Sequence, residues 1–194
     1  KYLSAFDTLD VDSQIPKQPA FAQVKEFEKE YPVAENEEEE GKAFLSYNMV
    51  VGDAMDSMLG VAFDVLDYAL LSAPGAPLKQ ALLDAGIGKD IYGSYNDGFL
   101  QPYFSVIAKD ARTEQKEEFV AVIRKVLQDI VKNGIDKKAI LAGINYMEFR
   151  YREADFGSYP KGLMYGIDII GTWLFDENEP FAQVKLLDIY NRLK

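Results

Sequence analysis

The sequence contains no histidine and no cysteine among its 194 residues. The absence of histidine excludes Ser-His and Cys-His nucleophilic systems and imidazole general bases. Together the two absences exclude disulfide bonds and zinc sites built from histidine or cysteine ligands. A metal held by this chain would need oxygen ligands, which favours calcium or magnesium.

Long apolar runs are also missing, because Asp, Ser or Gly interrupts each run before the ~18 residues that a membrane span requires. The sequence shows no signal peptide. We therefore expect no membrane partner. The lack of cysteine is compatible with a reducing compartment, so we expect a bacterial cytoplasmic location, with an organelle as the alternative.

Basic residues are few, with 21 Lys and Arg against 32 Asp and Glu, which gives a formal net charge of -11. A negative field repels nucleic acid and anionic membranes, so neither is expected as a partner. The charge either favours cationic partners or only keeps the surface soluble.

Hydrophobic residues are plentiful, at 48% of the chain, and aromatic residues make up 13%. This content is sufficient for a packed core in one domain with an appended arm. Because the chain starts at Lys1 and stops at Lys194 within a helical pattern, we expect a piece of a larger protein with a truncated C-terminal end. We expect an N-terminal arm over residues 1–41 and a folded domain over residues 42–194.

The expected arm has apolar anchors at Tyr2, Leu3 and Phe6. Pro16 and Pro19 disfavour regular structure in the segment that follows. An acidic run at residues 35–40 repels itself, and so predicts a solvated turn.

Alternating apolar residues predict strands at 42–51, 91–95 and 101–109, the last two forming a hairpin around Asn96-Asp97-Gly98. Helical periodicity predicts helices at 53–72, 78–85, 113–133, 136–154, 161–175 and 181–194, with N-caps at Asp53, Thr113 and Asp136. The order of these elements predicts an α+β fold, in which an antiparallel sheet is covered on one face by helices.

The predicted helix at 53–72 is apolar nearly all round. Such a helix is buried on two sides. We expect the sheet on one side and a neighbouring domain on the other. The apolar residues at 163–174 suggest a second surface that a neighbouring domain covers.

The densest polar cluster occupies residues 148–162. Its candidate peptide-contact or structural residues are Glu148, Arg150, Arg152, Glu153, Tyr159 and Lys161. Helical spacing allows Glu148 to pair with Arg152, and Arg150 with Glu153. Either arginine could clamp a peptide carboxylate or carbonyl, whereas the structural interpretation is that the charges fix the helix end to the Gly-Ser-Tyr-Pro turn.

A carboxylate acid–base site is the enzymatic alternative, built from Glu148, Glu153 and Asp155. Two neighbouring arginines would keep these groups ionised, which makes them poor acids and weak bases. We therefore expect no catalytic residue and no metal ligand in this chain.

Several strings of the sequence resemble the second, non-catalytic domain of presequence-protease-like members of the pitrilysin/insulinase zinc metallopeptidase family. The most specific string is AGINYMEFRYREADFGSYPKGL at residues 142–163. The resemblance also includes Gly134-Ile135-Asp136, residues 68–88 and the arm at residues 2–13, and its specific part runs from about residue 134 to 175. Together these strings cover nearly the whole chain.

The resemblance implies a metallopeptidase-type domain with a LuxS-like fold. Family members are expected to enclose unstructured peptides in a clamshell of four homologous α+β domains. The resemblance places zinc in the first domain, on an inverted His-x-x-Glu-His motif that this chain lacks. It therefore implies a structural, peptide-chamber domain that requires other domains of the same polypeptide, with zinc in the parent only.

Two other functions stay open at this point. One is a stand-alone binding module for cationic peptides, which the negative charge would suit. The other is an enzyme that uses carboxylates with magnesium or calcium, which the scattered acids disfavour. On the leading hypothesis, the chain alone is inactive as a peptidase.

Overall fold

An antiparallel sheet and a set of helices form the α+β fold, as the sequence predicts. The computed structural model describes residues 2–12, 14–36 and 40–194. The strands are β1 (Ala43–Val50), β2 (Asp90–Asn96) and β3 (Tyr103–Ala111). The α-helices are α1 (Ser57–Asp67), α2 (Pro77–Asp84), α3 (Lys116–Asn133), α4 (Lys137–Glu153), α5 (Lys161–Trp173) and α6 (Leu187–Leu193).

The three strands lie in the order β1-β3-β2, so β3 is central. Tyr47 of β1 is opposite Val106 of β3, which is opposite Gly93 of β2. Because side chains alternate across a strand, this register places Leu45, Val106 and Ile91 on one buried face. The hairpin predicted at residues 91–109 is confirmed, with a longer loop at 97–102 than the Asn-Asp-Gly string suggests.

The main hydrophobic core lies between this face of the sheet and helices α2 and α3. Leu82 and Ile123 are fully buried, and Phe119 is 1% exposed. These residues lie on the apolar stripes of amphipathic helices, with charged side chains on the opposite side. The periodicity of the sequence therefore identifies the helix faces that cover the sheet.

Helix α1 is buried on two sides. The expectation that a neighbouring domain covers its second side was wrong. Phe63 packs towards the sheet, where its ring stacks on Tyr95 with centroids 5.6 Å apart. On the other side, Val61 and Val65 pack with Ile144 of α4 and Tyr190 of α6 in a second cluster. This chain's own helices thus supply the second layer that we expected from a neighbouring domain.

Two of the three predicted helix caps differ from the structure. The cap of α1 is Asp56, whose carboxylate accepts a hydrogen bond from the Leu59 amide at 2.9 Å. Asp53 instead accepts from the Met55 amide in the turn before the helix. Thr113 lies within a short 3₁₀ turn, Thr113–Gln115, that precedes α3. The sequence pattern does not distinguish which of two nearby aspartates caps a helix. It also does not show whether a helix begins with a 3₁₀ turn.

The cap at Asp136 is confirmed, because its side chain accepts from the Lys138 amide at 2.9 Å. Gly134 ends α3 with a φ of 84°, a conformation that glycine adopts without steric cost. The connection between α3 and α4 is therefore specified locally by two residues.

The arm at residues 2–36 is mostly irregular and exposed in its described part. Tyr2 is 78% exposed and Phe6 is 62% exposed, and their rings contact each other at 5.3 Å. The expectation that these two residues anchor the arm to the domain was therefore wrong. The predicted acidic turn includes residues 37–39, which lie outside the described residues.

Contacts between the arm and the domain are polar and aromatic. The Gln18 amide donates to Gln101 at 2.6 Å, and Gln101 donates back to the Gln18 carbonyl at 3.1 Å. Lys17 pairs with Asp53, and Tyr31 packs edge-on against Phe44 at 5.6 Å. These contacts place the arm near both ends of β1.

The segment Ser57–Asp84 has the length and the mean hydropathy, 1.2, of a membrane-crossing helix. In the structure this segment is α1, a π-helical turn at Tyr68–Ser72, an irregular break and α2. Its buried residues contact the sheet and the helices of this chain. In its most apolar window, 28% of the residues are buried, so packing within the fold covers part of this apolar segment.

Truncation of the core phenylalanine tests this packing. We expect Phe119→Ala to lower the free energy of unfolding by about 3–5 kcal/mol, since it removes a fully buried ring. Val131→Ala, on the same helix at a position 87% exposed, should change it by no more than about 0.5 kcal/mol. Urea denaturation followed by circular dichroism measures both values. Equal effects would contradict the assignment of the α3 core face.

Candidate functional site

The polar cluster predicted at residues 148–162 covers the end of α4, a connecting turn and the start of α5. Ala154 ends α4 in the left-handed conformation, with a φ of 48°. The Asp155 carboxylate then accepts a hydrogen bond from the Gly157 amide at 2.9 Å. Asp155 is thereby used in the turn that connects the two helices.

Glu148 is the buried member of the cluster, with a side chain 10% exposed. Its Oε1 accepts from Arg152 Nε at 2.9 Å and from Arg152 Nη2 at 2.8 Å. Its Oε2 pairs with Lys194 Nζ. Hydrogen bonds from Lys194 and Arg152 hold the pKa of Glu148 below its ordinary value. The group therefore stays ionised and ties α4 to the end of α6.

The other predicted residues do not join Glu148 in one site. Arg150 lies over the Tyr146 ring, 5.9 Å from its centroid, and no ion pair joins it to Glu153 in the described structure. Lys161 donates to the Glu153 backbone carbonyl at 3.1 Å, and Tyr159 is 63% exposed. Arg150, Tyr159 and Lys161 are exposed, so peptide contact stays a prediction for them.

A cavity that sequence reasoning missed lies between α1, the β2–β3 loop and α5. Its volume is about 340 Å³, and carboxyl groups from all three elements line it: Asp64, Asp97 and Asp168. We call it the aspartate cavity. Much of the remaining wall is apolar and includes Val61, Ile167, Leu174, Phe175 and Leu186.

Burial controls the electrostatics of the aspartate cavity. Burial, with the charges of Asp97 and Asp67, raises the pKa of Asp64 to about 7, although Arg150 acts to lower it. Burial and the Asp97 charge also raise the pKa of Asp168. Burial raises the pKa of the Tyr95 phenol, at the same cavity, to about 12. The Asp64 carboxyl group is therefore partly protonated near neutral pH.

In the aspartate cavity the Thr172 hydroxyl donates to the backbone carbonyl of Asp168 and not to a carboxylate. No group of three or more acids among residues 2–12, 14–36 and 40–194 is placed to hold a metal ion. At the end of α1, the Asp67 Oδ1 atom is buried without a hydrogen-bond partner among the described residues. The sequence signal for the cavity is the presence of Asp64 and Asp168 within otherwise apolar helices.

Replacement of Glu148 tests its role as an internal tie. We expect Glu148→Gln to lower the free energy of unfolding at pH 7, because the two cations lose an ionised partner. A lowered folded-state pKa stabilises the fold above the ordinary value of 4.5, and this stabilisation is lost as the pH falls through the folded-state value. The difference between wild type and variant should therefore shrink below about pH 4.5.

The matched control is Glu153→Gln, since Glu153 lies on the same helix and is exposed. Urea denaturation between pH 3 and pH 8 measures both variants. Equal stabilities for the two variants at pH 7 would contradict the internal role of Glu148.

Comparison with known proteins identifies the family. The model of the peptidase M16 inactive domain matches residues 1–147. The chain is 43% identical over 185 residues to protein HypA of Clostridium perfringens, covering 95% of this chain and 19% of HypA. It is 28% identical over 198 residues to the chloroplastic/mitochondrial presequence protease 1 of Arabidopsis thaliana, covering 100% of this chain and 18% of that protein.

The fold has solved counterparts as well. The inactive peptidase domain of a proposed zinc protease from Bordetella parapertussis has a TM-score of 0.57 and 12% identity, covering 77% of this chain and 82% of that one. The chain spans about a fifth of the length of the curated relatives named above. The matched family model extends from the arm through most of α4, so it includes the complete sheet. The chain belongs to the family of peptidase M16 inactive domains.

Proposed function

We propose that this chain is a non-catalytic wall of the peptide chamber in a zinc-dependent metalloendopeptidase that degrades unstructured peptides. The observation that carries the proposal is the match of residues 1–147 to an inactive peptidase domain, in a chain without histidine or cysteine. Relatives named as presequence proteases support the substrate class. The proposed role is therefore to shape the chamber, while another domain performs the chemistry.

The sheet face opposite the helices is the surface that we assign to the chamber. On this face Phe44 is 46% exposed, Val50 is 60% exposed and Tyr92 is 37% exposed. Asn48 Oδ1 accepts from Ser46 Oγ at 3.0 Å and from Ser105 Oγ. Apolar side chains beside hydroxyl and amide groups suit an extended peptide, which offers both backbone polar groups and side chains.

Zinc does not fit this chain, because the described residues offer no cluster of three ligands and the sequence has no histidine. In the proposed parent enzyme, another domain holds the zinc. Bound there, the metal would activate a water molecule for peptide hydrolysis. The residues of this chain contribute no step to that chemistry.

Other domains of the same polypeptide are the proposed permanent partners. The curated relatives are about five times longer than the segment they share with this chain. Helix α5 and the residue that follows it expose apolar side chains that a soluble surface rarely concentrates; they are Leu163, Ile167, Ile170, Trp173 and Leu174. We propose that the part of the polypeptide that these partners contact consists of an arm at residues 1–41 and a domain at residues 42–194.

The net charge of -11 supports basic peptides as substrates, since a negative wall attracts cationic chains. A stand-alone module for cationic peptides is the second candidate, favoured by the same charge. We propose a cytoplasmic location in a bacterium, because the relative with 43% identity is bacterial. The organellar alternative is supported by the relatives named as mitochondrial or chloroplastic.

A peptidase assay tests the proposed function. The substrate is an unstructured basic peptide, and the samples are this chain and the longer polypeptide that contains it, each with zinc or with chelator. We expect zinc-dependent cleavage by the longer polypeptide and none by this chain. Chelator-sensitive cleavage by the purified chain would contradict the non-catalytic role.

Two added lysines on the open sheet face test the chamber assignment in the longer polypeptide. We expect Ser46→Lys with Asn48→Lys to raise the KM for the basic peptide about tenfold, with kcat nearly unchanged, because like charges repel at close range. The control adds the same charge on exposed α3 positions, through Gln128→Lys with Val131→Lys. Equal KM values for the two double variants would contradict this placement of the peptide. Tight binding of the peptide by this chain alone would favour the stand-alone module.

A further inference from the structure

The outward side of α5 carries a row of apolar side chains, which we call the α5 ridge. Its members follow one another at intervals of four, three and four residues, and each is more than half exposed; they are Leu163, Ile167, Ile170 and Leu174. Since 3.6 residues make one helical turn, this spacing keeps them on one side of the helix. The ridge therefore presents a continuous apolar strip, about 16 Å long at 1.5 Å per residue.

The contacts that hold α5 within this chain lie on its other side. Thr172 is buried, and the Tyr165 ring packs edge-on against Phe156 at 5.5 Å. The helix also contacts the turn at Ala182–Val184. At about 100° per residue, Tyr165 and Thr172 lie opposite the ridge. The described residues thus leave the ridge uncovered.

A glycine lies on the same side of the helix as the ridge. Gly166 is three residues after Leu163 and four before Ile170. A Cβ atom at Gly166 would meet no atom of the described residues within 4 Å, so packing within this chain does not require a glycine there. Glycine costs a helix interior about 1 kcal/mol relative to alanine. Its use on an open face suits the close approach of another backbone, as Gly143 allows between α4 and α1.

The spacing of the ridge favours a helix as the covering element. Apolar residues at alternating intervals of three and four form the seam along which two helices pack, because each side chain enters a space between side chains of the facing helix. Exposed apolar strips of this kind mark surfaces that another protein element covers. A partner helix of about three turns would match the length of the ridge.

The charge beside the ridge adds a second requirement for the partner. Ile167 and Leu174 of the ridge also line the aspartate cavity, so the cavity opens alongside the ridge. Its lining includes Asp64, Asp97 and Asp168, and no lysine or arginine of the described chain lines it. A basic side chain at the edge of the partner's apolar stripe would find carboxylate partners here, whereas an acidic one would be repelled.

Charge and chain length favour another part of the same polypeptide over a second copy of this chain. A second copy would bring the same aspartates and a further net charge of -11 to the contact, and like charges repel. The match to presequence protease 1 covers 100% of this chain, α5 included, in a protein about five times longer. A relative of that length has ample further chain to supply a covering helix.

We propose that the α5 ridge docks an amphipathic helix from another domain of the same polypeptide, with a lysine or arginine of that helix at the mouth of the aspartate cavity. This docking rests on the proposed function, which makes other domains the permanent partners, and it names the place and the chemistry of their contact. The open sheet face remains the surface assigned to the peptide.

Site-specific photo-crosslinking in the longer polypeptide tests the proposal. The probe, p-benzoylphenylalanine, replaces Ile170 in the middle of the ridge, and it replaces Val131 on α3 in the control, which is 87% exposed. Mass spectrometry after irradiation should find position 170 joined, within one polypeptide, to a helix outside these 194 residues that carries lysine or arginine. Position 131 should give no such product. Gel filtration and circular dichroism check that both variants fold as the wild type does.

Charge reversal at the cavity tests the basic side chain of the partner. Asp168 is exposed, so Asp168→Lys should keep the fold and lower the crosslinking yield from position 170 by about threefold or more, through repulsion between like charges. Asp129→Lys makes the same change at an exposed position of α3 and should leave the yield unchanged. Equal yields from the two variants would overturn the role of the cavity in docking.

The crosslinking products separate this docking from the other occupants. Products that join two copies, products with an added basic peptide, or no product outside the 194 residues would each overturn it. Zinc-dependent cleavage by the longer polypeptide in any of these cases would leave the proposed function in place. A docked helix in a longer polypeptide that cleaves no peptide would reject the proposed function and keep the docking.

Discussion

The packing of α1 between two layers is the constraint on which the rest of the structure depends. On the sheet side, Phe63 contacts the rings of Tyr95 and Phe104, each with centroids 5.6 Å away. On the other side, Val61 and Val65 belong to the cluster with α4 and α6. One helix thus links the hydrophobic core under the sheet to the second hydrophobic cluster.

Close approach of α4 to α1 requires a glycine. A Cβ atom at Gly143 would lie 3.2 Å from Val65 Cγ1 and 3.2 Å from Tyr68 Cδ1, which is tighter than ordinary van der Waals contact. The small residue therefore lets the two helices touch, as small residues do at other close helix crossings. The position of α4 then sets that of Glu148, which ties the end of α6 to the same layer.

With two sides of α1 occupied, Asp64 faces the space beneath α5. Asp64 lies there because helical periodicity places it between the two apolar faces. The result is a pair of packed layers and a largely exposed α5 beside a cavity that three aspartates line.

Much of this fold could be predicted from the sequence, because the responsible signals are local. Alternation identified the strands, and Gly134 with Asp136 marked the connection between α3 and α4. The pairing of Glu148 with Arg152 followed from helical spacing. Local spacing did not reveal that Lys194 joins this pair, because the contact spans the length between α4 and the chain end.

The aspartate cavity could not be predicted for the same reason. Asp64, Asp97 and Asp168 are far apart in the sequence, and only the tertiary arrangement brings them to one space. The second layer on α1 was also misassigned, because an apolar helix face indicates burial and does not indicate which element provides it. The expected arm anchors were also wrong, because Tyr2 and Phe6 contact each other and stay exposed.

Native-state hydrogen exchange tests the central claim most directly, which is that α1 and the sheet form the stable unit on which the other helices depend. The account predicts that amides of α1 and β3 exchange only through global unfolding, whereas those of α5 exchange through a smaller, local opening. Equal protection of α5 and α1 would contradict it. So would exchange of α1 before α2 and α3, since that would place the stable unit elsewhere.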